Sequence, residues 1–190
     1  MMNNVENGVI IKNQMNHETL KTICYNGLGI ALYVALSLCL QVPVFENYYP
    51  CLGYIVMLVY CYSFGPVSGA LIGGVGCFLH CVMINGMRGM PGWMLGNIFI
   101  GFALGYLFKL TKKMSNRVFG NILNVVTIVV VTTIAILGIK SITECLLYAQ
   151  PFAVRTANNI YAFVADVVVL IVALPMCPLL DTVLLKSNNK

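Results

Sequence analysis

The sequence predicts an all-α integral membrane protein: six transmembrane helices in one bundle, with both termini cytoplasmic. Three observations carry this reading. Of 190 residues, 59% are hydrophobic and only 9% are charged, whereas a soluble domain carries about 25% charged residues. The mean hydropathy is +0.88. The apolar residues fall in runs of spanning length, far beyond the about 9–11 alternating residues of an outer-membrane strand. A soluble globular domain, a disordered chain and a secreted disulfide scaffold are excluded, because none could cover its surface with so few charges.

Residues 1–21 form a polar tail containing Asn3, Glu6, Lys12, His17 and Glu18. It lacks the short apolar core of a cleavable signal peptide. Residues 22–185 form the membrane domain, and 186–190 a second polar tail. The six expected spans cover about 22–41, 51–64, 67–84, 92–110, 118–139 and 160–180. The second is shorter than the about 20 residues a span requires, so it is expected to be tilted little or partly shielded by neighbours. Gly65-Pro66 ends it, since proline removes a donor from a helix interior. Pro175 and Pro178 are expected to bend or end the sixth span.

Orientation follows from the basic residues, which accumulate in cytoplasmic loops. With six spans and the N-terminus inside, Lys12, Lys21, Lys109, Lys112, Lys113, Arg117, Lys186 and Lys190 lie inside, while Arg88, Lys140 and Arg155 lie outside. The outer loops, near 42–50, 85–91 and 140–158, carry proline, aromatic and polar residues, so binding is expected on that side. The net charge of +5 is explained by this asymmetry, and no basic stripe interleaved with aromatics suggests nucleic acid.

The eight cysteines lie mostly in apolar runs without a Cys-x-x-Cys pair, and read as small packing residues rather than metal ligands. No Gly-rich phosphate loop, His-Glu-x-x-His or serine–histidine–acid set is visible. The chain therefore reads as a non-enzyme without cofactor or energy source of its own. A proton- or ion-coupled transporter working alone is one rival reading, although Asp166 and His80 make a sparse relay. A membrane scaffold or assembly factor is another.

Small residues recur four apart in Ala31-x-x-x-Ala35, Gly69-x-x-x-Gly73 and Gly101-x-x-x-Gly105. This spacing lets helix backbones approach closely in lipid. The glycines read as packing within the bundle, whereas Ala31 and Ala35 suit either internal packing or a second protein.

The stretches Phe64-Gly-Pro-Val-Ser-Gly-Ala-Leu-Ile-Gly-Gly-Val-Gly, Gly92-Trp-Met-Leu-Gly-Asn-Ile-Phe-Ile-Gly-Phe-Ala-Leu-Gly and Asn158-Asn-Ile-Tyr-Ala-Phe-Val-Ala-Asp166 resemble the substrate-binding S components of energy-coupling factor (ECF) vitamin transporters. Ala31-x-x-x-Ala35 is similar to the alanine motif those proteins set against their coupling subunit. The likeness covers about residues 27–180 and is nearest to the riboflavin-type branch; a tryptophan-rich segment of some relatives is represented here by Trp93 alone. The resemblance implies a multi-pass protein of the bacterial plasma membrane. It would capture a vitamin-like molecule from outside and deliver it through a membrane coupling subunit (T component) and two ABC ATPases.

Trp93 and Asn97 share one face near the outer end of the fourth span, since residues four apart are helix neighbours. An aromatic face beside an amide suits a flat, hydrogen-bonding vitamin. Asn159, Phe163 and Asp166 form a second mixed face on the sixth span. A lipid-exposed Asp166 would cost about 2.5–3.5 kcal/mol or more, so it must face the bundle, either for substrate or for an internal partner such as His80. Arg88 is a candidate contact for a carboxylate or phosphate, and Tyr49, with Tyr48, for a lid over the cavity. Each has a plainer alternative: Trp93, Tyr48 and Tyr49 as interface anchors, Asn97 and His80 as packing residues, and Arg88 as a solvated loop charge.

Overall fold

The computed structural model describes residues 2–39, 51–85, 90–114, 117–149 and 151–188, with side chains at 19–39, 51–84, 91–114, 118–149 and 151–182. Apart from short turns, the described residues are helical: α1 (Met2–Cys39), α2 (Gly53–Phe64), α3 (Pro66–Asn85), α4 (Met90–Thr111), α5 (Arg117–Thr132), a π-helical segment (Thr133–Lys140), α6 (Ser141–Tyr148), α7 (Phe152–Ala173) and α8 (Met176–Asn188). Five stretches are long and apolar enough to cross a bilayer: Thr19–Cys39, Pro66–Ile84, Pro91–Thr111, Val118–Tyr148 and Phe152–Ala173. Leu20, Ile23, Val118, Ile122, Leu146 and Val172 are among many large apolar side chains left exposed, which is the outer surface lipid requires.

The polar tail expected at 1–21 is a helical extension of the first span. At 38 residues α1 measures about 57 Å, well beyond the about 30 Å hydrocarbon core. The 12 residues of α2 give only about 18 Å. Its shortness is offset by position: α2 packs on α1, α3, α4, α7 and α8, and Tyr54, Met57, Leu58 and Cys61 are fully buried. Gly65 ends it with φ +91, a conformation that costs glycine nothing. Pro66 then starts α3 with no N–H to satisfy.

The closest packing joins α3 to α4. A Cβ on Gly69 would meet the Gly101 carbonyl oxygen at 2.8 Å, and one on Gly73 would meet the Asn97 carbonyl oxygen at 2.8 Å. The expected small-residue interface is therefore internal, with backbone on backbone. Ala31 and Ala35 differ: both are exposed, as is Gly27, while Gly29, Tyr33 and Ser37 are buried. Internal packing does not account for the alanine face of α1.

The end of the chain departs from expectation. The stretch that begins at Arg117 continues as helix to Tyr148 and α7 begins at Phe152, so most of the loop expected at 140–158 is helical. The last crossing is 152–173, not 160–180. It closes where the Leu174 N–H caps the Leu170 and Ile171 carbonyls, before Pro175. Lys140, Glu144 and Asn159 lower the local hydropathy and mimic a loop, but all three are buried.

Candidate functional site

The centre of the polar cluster is Tyr54, at the start of α2 and fully buried. Its hydroxyl lies 2.6 Å from Asn97 Oδ1 and 3.1 Å from Asp166 Oδ2. The Trp93 indole N–H donates to the same hydroxyl at 3.0 Å. Asn97 Nδ2 in turn donates to the Tyr33 hydroxyl at 3.3 Å. Tyr33 also accepts from Cys51, at 3.5 Å. Four helices thus contribute to one cluster: Tyr54 from α2 bonds Trp93 and Asn97 of α4 and Asp166 of α7, and Tyr33 from α1 joins through Asn97 and an edge-on contact with the Tyr54 ring. A phenol carries one hydrogen, so Tyr54 can donate to only one of its two acceptors at a time. Trp93 also meets the ring of His80 edge-on, with centroids 5.9 Å apart.

The long helical stretch Val118–Tyr148 adds charge. Ile128, Thr132, Ile136, Lys140 and Glu144 recur every four residues and all are buried. In a regular α-helix four residues overshoot a full turn by about 40°, so such a stripe would rotate away by about 160° over its length. The wider π turns at Thr133–Lys140 counter that drift and keep Lys140 and Glu144 on the inner face. Ser141 Oγ donates to the Ile136 carbonyl, five residues back, at 3.2 Å. π turns frequently mark functional positions.

Of the residues singled out from sequence, Trp93, Asn97 and Asp166 come together. Phe163 is half-buried and packs on the core beside them. Asn159 is buried but otherwise engaged: both amide hydrogens are taken, by Ser141 Oγ at 3.0 Å and Glu144 Oε2 at 3.1 Å, so it joins α6 to α7. Asp166 has Tyr54 as its partner rather than His80. Tyr48, Tyr49 and Arg88 lie outside the described residues. Tyr33 and Tyr54 join the cluster, and Lys140 lies 6.0 Å from the Trp93 ring; none of the three was singled out from sequence as a site residue. Tyr54 sits among apolar residues and carries no local signal, and Lys140 read as a loop charge.

A separate hollow of about 730 Å³ lies at the other end of the bundle, lined by Tyr62, Lys112, Asn124, Pro178 and others. Lys112 there bonds Asp181 at 3.0 Å and the Tyr62 carbonyl at 2.7 Å. The hollow is lined by the amides of Asn121 and Asn124 and by no tryptophan.

Apolar helices long enough to span a bilayer, packed around a buried aromatic–amide–carboxylate cluster, define a polytopic helical membrane protein by length and composition. Residues 17–182 match the model of the family described as ECF-type riboflavin transporter, S component, and the chain belongs to that family. It is a transport component, not an enzyme. The chain is 28% identical over 153 residues to a UPF0397 protein of Lactococcus lactis subsp. cremoris (strain NZ9000), covering 77% of this chain and 79% of that one. It is 29% identical over 160 residues to a UPF0397 protein of strain SK11, covering 81% and 78%. A UPF0397 protein of Streptococcus thermophilus (strain LMD-9) is 26% identical over 95 residues, covering 50% and 52%.

Proposed function

We propose that this chain is the substrate-capture component of an ATP-driven ECF importer of the bacterial plasma membrane. It binds a water-soluble vitamin or precursor at the Trp93–Asn97–Asp166 cluster and hands it to a T component and two ABC ATPases. The short α2 counts as the sixth crossing, and both termini lie in the cytoplasm. The cluster then sits in the outer half of the membrane, at the end where α1 leads to α2, α3 to α4 and α6 to α7.

The observation that carries this reading is the convergence of three sequence-selected residues on one buried phenol, in a chain of a transporter family. Denaturing mass spectrometry of protein purified from rich medium should release a stoichiometric vitamin-like compound; protein that stays empty against a vitamin panel would contradict the reading. Asn97→Ala should weaken binding of that compound by roughly 5- to 100-fold, as loss of a buried hydrogen-bonding group costs about 1–3 kcal/mol. Asn124→Ala, in the opposite hollow, should leave affinity unchanged. The reverse ranking would move the site to the other end.

A further inference from the structure

The hollow at the Tyr62–Lys112 end of the bundle arises from local chain chemistry. Pro175 has no N–H to continue α7, and the chain turns there into α8. Gly120 of α5 puts no side chain into the gap: a Cβ there would meet only the Thr111 carbonyl oxygen, at 3.9 Å. The resulting space of about 730 Å³ is in the size range of small-molecule pockets, about 300–1,000 Å³.

Its polar lining is unfinished. Asn124 is 7% exposed and lines the hollow, yet its Oδ1 is buried with no hydrogen-bond partner among the described residues. Rotation about χ2 presents either end of that amide. Asp181 Oδ1 is in the same state, although Oδ2 holds Lys112 at 3.0 Å. Buried polar groups are normally hydrogen-bonded, and both of these atoms are acceptors without a donor. Positive charge stands beside them. The Lys112 ammonium has three hydrogens, of which the Tyr62 carbonyl and Asp181 take two. Lys109 lies in the last turn of α4 and Lys113 in the turn that follows. The rest of the lining includes Val125, Leu174 and Pro178, and next to it on α5 the side chains of Ile122 and Val126 are exposed, an apolar surface on which acyl chains can lie.

We propose that this hollow is a second binding site, for an anionic glycerophospholipid whose headgroup also carries hydroxyl donors, phosphatidylglycerol being the simplest. The phosphodiester accepts from Lys112 and the Asn121 amide, the headgroup hydroxyls donate to Asn124 and Asp181, and the acyl chains leave along Ile122 and Val126. Basic pockets between membrane helices recognise anionic headgroups in this way. Phosphatidylcholine suits the site less well, because its trimethylammonium has no hydrogen for either acceptor. Phosphatidylethanolamine supplies donors but, being neutral overall, leaves the excess of lysines unbalanced. On the orientation proposed above the lipid comes from the cytoplasmic leaflet, and the site is independent of what the Trp93–Asn97–Asp166 cluster binds.

Native mass spectrometry of the full chain, delipidated in detergent and titrated with phosphatidylglycerol, phosphatidylethanolamine or phosphatidylcholine, tests the site. One phosphatidylglycerol per chain should be retained, about tenfold more tightly than either other lipid. Glycerophosphoglycerol, the same headgroup without chains, should not displace it at equal concentration. Gly120→Leu fills the hollow from a position where a Cβ has room and helix propensity rises, so it should abolish retention. Asn124→Leu should weaken it about tenfold. Equal or tighter binding of another lipid, or a monodisperse Gly120→Leu protein that holds phosphatidylglycerol as before, overturns the inference. Displacement by the headgroup alone would assign the hollow to a soluble phosphodiester and overturn the lipid. Retention of no lipid at all would mean that the hollow holds water only. If a variant does not fold, the lipid series on the unaltered chain decides the matter.

Discussion

Replacing Gly101 with alanine should leave little or no folded protein. Alanine is the better helix former by about 0.8–1.0 kcal/mol, so local propensity predicts the opposite result. Packing decides it. A Cβ at Gly101 collides with the carbonyl of Gly69 and lies 2.7 Å from the Ala70 nitrogen. These are backbone atoms of the facing helix, with no side chain that can swing aside. The helices must separate along the whole α3–α4 contact, which forfeits dispersion contacts that lipid replaces poorly. A loss of about 3 kcal/mol or more is expected, at the upper end of overpacking costs. Gly27 provides the control: a Cβ there meets nothing within 4 Å, and Gly27→Ala should be neutral to slightly stabilising. Thermal unfolding in detergent, followed by size-exclusion chromatography, compares the two. Equal stability of both variants would mean that α3 and α4 do not approach as described.

Replacing Ala31 or Ala35 with tryptophan should abolish co-purification of the coupling subunit while leaving substrate affinity unchanged. Both alanines are exposed, on the side of α1 away from Tyr33 and Ser37; two residues are about 200° of helix rotation. Indole bulk there projects off the bundle and cannot reach the polar cluster, but it blocks the close backbone approach that small residues permit. Pull-down with the T component, paired with a ligand titration, checks both halves. Loss of substrate binding together with partner binding would mean that the face supports the bundle itself.

Most of the architecture was legible in composition and hydropathy, because lipid imposes a long apolar run on every crossing. Gly65-Pro66 gave the α2–α3 turn, and Pro175 the end of α7, since both act through local backbone chemistry. The region from Lys140 to Asn159 was misread for a physical reason. Hydropathy averages over a window and treats every charge as exposed, whereas Ser141, Glu144 and Asn159 satisfy one another across α6 and α7 and Lys140 is buried. The π turns that make this possible are set by packing and have no sequence signature. In the site, Trp93, Asn97 and Asp166 stood out because polar groups are rare at span depth. Tyr54 did not, since a tyrosine in an apolar run says nothing of which hydroxyl partners two other helices will supply.

The central claim is that this chain captures substrate and has no motor. Purified protein reconstituted alone in sealed vesicles should bind the compound identified by mass spectrometry, yet accumulate none in the lumen with or without a proton or sodium gradient. Adding the T component and both ATPases, with ATP on the cytoplasmic face, should start uptake. Accumulation by the chain alone, driven by a gradient and without nucleotide hydrolysis, would contradict the account.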